Sequence, residues 1–112
     1  MSALKKDNRV RKKKDFDTIF KTGRTVRGRM LTLRHKPSPK EKSRGAVVVS
    51  GKISKSAVQR NKIRRTLSET MREYFKKGVL NTDIIVIVQS RQAKENLKEA
   101  KEELRRLLES IR

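Results

Sequence analysis

Between positions 60 and 65 the chain sets Arg60, Asn61, Lys62, Arg64 and Arg65, four cations and an amide in six residues. A guanidinium binds phosphate through a planar fork of donors, and an asparagine amide accepts as well as donates, which lysine cannot. The chemistry open to such a cluster is recognition of a structured polyanion. Catalysis by the chain's own side chains has no comparable support. There is one histidine, His35, and no cysteine, which excludes multi-histidine and thiolate metal sites. Asp15 and Asp17 are two residues apart on a predicted helix and do not converge, so helix-cap and solvent roles suffice for them. His35 falls on the apolar face of a predicted strand, where a packed or edge role is expected.

The element carrying the cluster is a helix predicted from about Ser56 to Lys77, with Gly78 marking its end. At about 100° per residue, Ile63, Leu67, Met71, Tyr74 and Phe75 span one arc. Extended toward the N-terminus, that arc takes in Arg64 beside Met71 and brings Arg60 close to Leu67. Asn61 and Arg65 share the adjoining flank. The C-terminal half must therefore pack on the protein while the opening turns carry guanidinium groups along the same line. Burying them unpaired would cost several kcal/mol. They must either project past the sheet edge into water or be held ready for an anion. Position favours the anion, because a helix N-terminus presents unpaired N–H groups and the positive end of the dipole. Lys52 and Lys55 add two more cations there. The crowding weakens the free helix by roughly a few tenths of a kcal/mol per charge and becomes favourable once phosphates arrive.

Charge agrees with this reading. Thirty-two Lys and Arg face twelve Asp and Glu, a net of +20 in 112 residues. Residues 1–65 hold 22 basic and 4 acidic side chains, whereas residues 66–112 hold 10 and 8. A surface charged for thermal stability would mix the signs. A concentrated excess points to nucleic acid, with an anionic membrane surface as the competitor. No apolar run approaches the roughly 18 residues of a membrane span, and the basic start MSALKKDNRVRKKK lacks the apolar stretch of a secretory signal. The expectation is a cytoplasmic protein with no membrane association.

The length fits a single RNA-binding domain over residues 1–112, with 1–11 as a mobile basic arm. A helix is expected over about Lys12–Thr22, with Phe16, Ile19 and Phe20 on one face and Gly23 as its stop. Residues 24–35 read as a strand with a bend or bulge at Gly28; Leu31, Leu33 and His35 share one face, Met30, Thr32 and Arg34 the other. Residues 36–43 hold both prolines and read as a loop. Residues 44–51 (RGAVVVSG) and 82–89 (TDIIVIVQ) read as buried strands, the second central and the two parallel or nearly so. A last helix over about Lys94–Ile111 carries Leu97, Ala100, Leu104, Leu107, Leu108 and Ile111 in one stripe. It also carries five of the twelve acidic residues, which gives it a structural role facing away from a polyanion. The predicted fold class is α+β, a small mixed β-sheet packed with three helices in a two-layer sandwich of the kind ribosomal proteins use, in the order α-β-β-(β)-α-β-α.

The stretch AVQRNKIRR (57–65) resembles the RNR signature of the protein-subunit family of bacterial ribonuclease P, usually A-V-x-R-N-x-x-K/R-R. DFDTIFKTGR (15–24) resembles that family's first helix, VVVSGKISKSAVQRN (47–61) its strand leading into the RNR helix, and TDIIVIVQ the strand that follows. The likeness covers nearly the whole chain in the right order. It implies a left-handed βαβ crossover, against the usual right-handed rule. It also implies a role beside a catalytic RNA subunit that, with Mg²⁺ bound by the RNA and not by a dedicated protein site, cleaves the 5′ leader from precursor tRNA. No protein partner is implied. Carried over by position, Lys52, Lys55, Arg60, Asn61, Lys62, Arg64 and Arg65 would bind the catalytic RNA. Lys13, Phe16, Phe20, Arg29 and Arg34 would bind the leader in a cleft between the first helix and the sheet, with aromatic faces stacking on unpaired bases. No catalytic residue is implied for the protein. The chain departs from the family where Lys55 stands in place of a frequent glycine, and where QSRQA, with Arg91, lacks the usual proline. A ribosomal or general RNA-binding protein without a catalytic RNA partner accounts equally well for the basic charge and the α+β core, but not for the clustered RNR turn. A DNA-binding helix is a third reading, without a dimer stripe to support it.

Overall fold

Four strands, β1 (Arg24–Arg27), β2 (Leu31–Pro37), β3 (Arg44–Val48) and β4 (Thr82–Val88), form one sheet in the order β1-β2-β4-β3. The structure is a computed structural model and describes residues 4–77 and 81–111. The expected helix stop at Gly78 lies outside the described residues. β1–β2 and β2–β4 pair antiparallel, while β3 and β4 pair parallel. β4 is therefore central, as its unbroken apolar run predicts. Its parallel partner is reached through α2 (Ala57–Lys76), the crossover that a parallel pair demands.

Alternation along β4 divides the core. Ile84, Val86 and Val88 join Leu31 and Leu33 beneath α2 and α4 (Leu97–Glu109), meeting Ile63, Leu67, Met71, Ala100, Leu104 and Leu108. Ile85 faces the other way, onto Ile19 of α1 (Lys13–Thr22) and Val10, with Phe16, Ala46, Val48 and Ile87 alongside. The fold class is α+β with a mixed sheet, as expected, but helices cover both faces, so there are three layers and not two. α2 approaches β3 closely at Gly45, where a Cβ would stand 2.9 Å from the Met71 sulfur.

Four sequence expectations are corrected. Residues 24–35 form a hairpin and not one bent strand. Its turn is held from outside: the buried carboxylate of Glu103 on α4 accepts the backbone N–H groups of Arg29 (3.1 Å), Met30 (2.9 Å) and Leu31 (2.8 Å). A Cβ on Gly28 would lie 2.5 Å from that carboxylate. The turn also frees Met30 from strand alternation, and it enters the same core as Leu31. Second, Pro37 ends β2 and does not start a loop; its missing N–H matters little at a strand terminus. Third, the last helix is two pieces, α3 (Gln92–Glu95) and α4. The Asn96 side chain between them accepts from the Glu99 N–H at 3.3 Å and caps α4. Fourth, residues 4–10 are not a free arm. Leu4 and Val10 are both 4% exposed, and the backbone bridges Gly45 beside Arg9.

Candidate RNA-binding cleft

α2 begins at a Ser56 cap, whose hydroxyl accepts the Gln59 N–H at 3.2 Å. Its first turn holds no acid, so nothing on the helix offsets the cations that follow. Ile63, Leu67 and Met71 seat the helix on the sheet. One flank of its opening turns is thereby left over the free edge of β3. A cleft of about 470 Å³ opens there. Asn61, Arg64, Arg65 and Ser68 of α2 line it together with Leu4, Arg9 and Val10, Phe16 of α1, and Gly45, Ala46 and Val47 of β3.

The cations of the α2 wall are not neutralised within the fold. Among the described residues, none of Arg60, Arg64 and Arg65 pairs with a carboxylate. Arg64 donates to the Asn61 side-chain oxygen, which orients both groups along one wall. Arg60 is half-buried and donates to the Ser54 carbonyl at 2.8 Å, bracing the loop ahead of the helix. Lys52, Lys55 and Lys62 are exposed near the helix start and do not line the cleft. Arg91, on the loop after β4, donates to the Lys52 carbonyl at 2.9 Å and so joins the same end of the sheet.

The first-helix set is only partly brought together. Phe16 lines the cleft beside Asn61, Arg64 and Arg65 while its inner edge packs on the Val10–Ile19–Ile85 cluster. Its ring stacks at 6.5 Å on Phe20, which is 42% exposed. Lys13 and Arg29 are exposed but lie at opposite ends of the sheet. Asp15, two residues past Lys13, is pinned to Arg44 where β4 begins; the turn holding Arg29 sits where β4 ends, Leu31 opposite Val88. Arg34 is turned inward, donating to the Thr25 hydroxyl and to the Phe20 carbonyl at the end of α1. In that arrangement it closes a helix terminus.

Two features escaped sequence reading. Arg44 is 5% exposed and forks onto Asp83, with Nε–Oδ1 at 2.8 Å and Nη2–Oδ2 at 2.6 Å, while Nη1 reaches Asp15 at 3.2 Å. The pairing with Asp83 raises the Arg44 pKa further above its ordinary value. Asp15 therefore joins a buried ion cluster and has more than a cap or solvent role. The second feature is the wall formed by residues 4–10, with Arg9 in it. His35 is half-buried near the end of β2, and burial, then Arg24 and Arg34, lower its pKa.

Comparison with known proteins bears on the whole chain. The family model for Ribonuclease P matches residues 4–112. The ribonuclease P protein component of Macrococcus caseolyticus is 36% identical over 85 residues, covering 75% of this chain and 72% of that protein. The Pseudanabaena protein of the same description is 32% identical over 106 residues, covering 94% and 91%. Among solved structures, the RNase P protein of Staphylococcus aureus superposes with a TM-score of 0.82 at 31% identity, covering 91% of this chain and 93% of that one.

Proposed function

The chain belongs to the ribonuclease P protein family, the protein component of the enzyme that processes tRNA 5′ ends, and from that premise we propose how its cleft serves the reaction. The α2 wall docks on the catalytic RNA subunit through Arg64, Arg65 and Asn61, with Arg60, Lys52, Lys55 and Lys62 adding charge around it. Phe16 and Phe20, with Lys13 and Arg29, meet the single-stranded leader of precursor tRNA. Arg34 contributes by fixing the end of α1 and not by touching the leader. The observation that carries this reading is that Arg64 and Arg65 line an open cleft and have no carboxylate partner among the described residues.

The protein's part is differential binding. Its cations screen repulsion between two RNA backbones, and its grip on the leader favours precursor over product. The Mg²⁺ of the reaction belongs to the RNA, which supplies the hydrolytic chemistry. Among this chain's carboxylates, Asp15 and Asp83 do converge, but the Arg44 guanidinium already occupies the space between them. No described helix is long and apolar enough to cross a membrane; a cytoplasmic setting accompanies this reading. Added to a bacterial catalytic RNA at low Mg²⁺, the purified protein is expected to restore precursor cleavage where an unrelated basic protein does not. Equal rescue by both proteins would reduce the role to nonspecific charge.

Phe16→Ala tests the leader wall. The side chain is half-buried, so the fold is expected to survive with a somewhat lower melting temperature. Loss of one stacking face should weaken precursor binding by about 1–3 kcal/mol, with mature tRNA binding unchanged, both measured by equilibrium titration. A collapsed melting transition would make Phe16 a core residue.

A further inference from the structure

The tip of the β1–β2 hairpin stands outside the cleft. β1 is the sheet edge opposite β3, roughly 14 Å away at the usual strand spacing, and none of residues 27–31 lines the cleft. Every backbone N–H from Gly28 to Leu31 is engaged within the fold. The Gly28 N–H donates to the Leu31 carbonyl at 2.8 Å, and those of Arg29, Met30 and Leu31 converge on Glu103. Gln89, just past β4, closes the other side. Its side chain donates to the Gly28 carbonyl at 2.9 Å, and its backbone N–H donates to the Met30 carbonyl at 3.0 Å. The turn is thus clamped from α4 and from the end of β4. Arg27 and Arg29 flank Gly28 on this clamped turn, and both are exposed. Neither pairs with a carboxylate among the described residues. Glu103 does not neutralise them, because it is 4% exposed and both its oxygens accept backbone N–H groups. Glu102, its neighbour on α4, is paired with Arg105.

We propose that the β1–β2 tip is a second RNA-binding site, at which Arg27 and Arg29 take backbone phosphates of a base-paired RNA segment. The class of ligand follows from what the tip holds and what it lacks. Guanidinium forks fit phosphate oxygens. The chain's four aromatic residues all lie elsewhere, Phe16 and Phe20 on α1, Tyr74 and Phe75 on α2. The tip therefore offers an unpaired base no ring to stack on. Base-paired RNA needs none, because it hides its base faces and is gripped by shape, through phosphates and 2′-hydroxyls. A turn clamped before the RNA arrives leaves only the two arginine side chains to be ordered on binding. Arg29 thereby leaves the leader contacts, which keep Phe16, Phe20 and Lys13. The tip stands independently of the cleft reading. With a strand on one edge of the sheet and a duplex on the other, the domain holds two RNA segments at a fixed separation.

The test uses the full chain with Arg27→Gln and Arg29→Gln combined, which removes both charges, and with Arg27→Lys and Arg29→Lys combined, which keeps them. Two labelled probes, a blunt RNA duplex and an unstructured single strand, are each titrated over a salt series. The glutamine pair is expected to flatten the log–log salt dependence for the duplex by about two, one unit for each phosphate contact. The single-strand slope and the melting temperature should not move. The lysine pair should keep the duplex slope. Arg65→Gln is run as the comparison for the cleft, where it should lower the single-strand slope by about 0.7. If the glutamine pair leaves the duplex slope unchanged while Arg65→Gln lowers the single-strand slope, the tip site is overturned and the cleft reading stands. If the glutamine pair flattens both slopes alike, the two arginines act only as general positive charge, which also overturns the site. If the duplex slope alone falls in the glutamine pair and Arg65→Gln changes nothing on the single strand, the tip site is upheld and the cleft reading fails.

Discussion

Replacing Arg64 and Arg65 together with alanine is expected to weaken binding to the catalytic RNA about 10- to 100-fold near physiological salt. It should also flatten the log–log salt dependence by about two, one unit for each phosphate no longer neutralised. Both side chains line the cleft, and neither has a carboxylate partner among the described residues. Their removal therefore breaks no internal ion pair. Alanine is also the strongest helix former, and Ile63, Leu67 and Met71 still seat α2 on the sheet. The melting temperature should stay level or rise slightly, so the weaker binding reads as an interface effect. Titration at four or five salt concentrations gives the slope directly. A slope that does not change would remove these two residues from the docking surface, whatever happens to affinity at a single salt.

The helix carrying those arginines was legible because its apolar stripe has a clear 3.6-residue period, and the stripe's conflict with Arg60 and Arg64 pointed to the site. β4 was legible because seven consecutive strand residues include five aliphatic ones. What stayed hidden depends on pairings far apart in the chain. The β1–β2 hairpin has no Asn-Gly or Asp-Gly turn pair; its turn N–H groups find their acceptor on Glu103, 72 to 74 positions away. The anchoring of residues 4–10 rests on two apolar side chains, Leu4 and Val10, six apart: that spacing is off one helix face, and the strand face it would share is interrupted by the polar Lys6 and Asn8. Among eleven residues rich in cations they leave no periodic trace. Arg34 looked like a surface cation because the acceptors it satisfies are the Thr25 hydroxyl on the neighbouring strand and the backbone carbonyls at the end of α1. Carbonyls of that kind are invisible in side-chain patterns. The break at Asn96 carried a readable cap signal, but the stripe from Leu97 onward continues the register closely enough to mask it. The merging of Phe16 with Asn61, Arg64 and Arg65 in one cleft follows from β3 being an edge strand, and pairing order is not written in local periodicity.

Arg44→Ala is expected to be the most damaging single change to the fold. The guanidinium forks onto Asp83, whose side chain is 2% exposed, and also reaches Asp15. Truncation leaves the Asp83 carboxylate buried with its principal partner gone. Breaking such a pair from one side costs about 3–5 kcal/mol. For a domain of this size that lowers the melting temperature by roughly 10–25 °C, readable by calorimetry or circular dichroism. Arg44→Lys should recover only part of the stability, because a single ammonium cannot reproduce a fork engaged on two carboxylates. Arg44→Met with Asp83→Leu should recover more, since an apolar pair of similar volume avoids the stranded charge. That double variant separates stability from function. It still lacks the tie to Asp15, the residue next to Phe16, so the first turn of α1 is no longer pinned against β3 and β4. With the fold restored, a remaining deficit in precursor preference over mature tRNA would mean that the Arg44–Asp15 pair sets the position of Phe16 in the cleft. Full preference in the stable double variant would confine Arg44 to holding β3, β4 and α1 together.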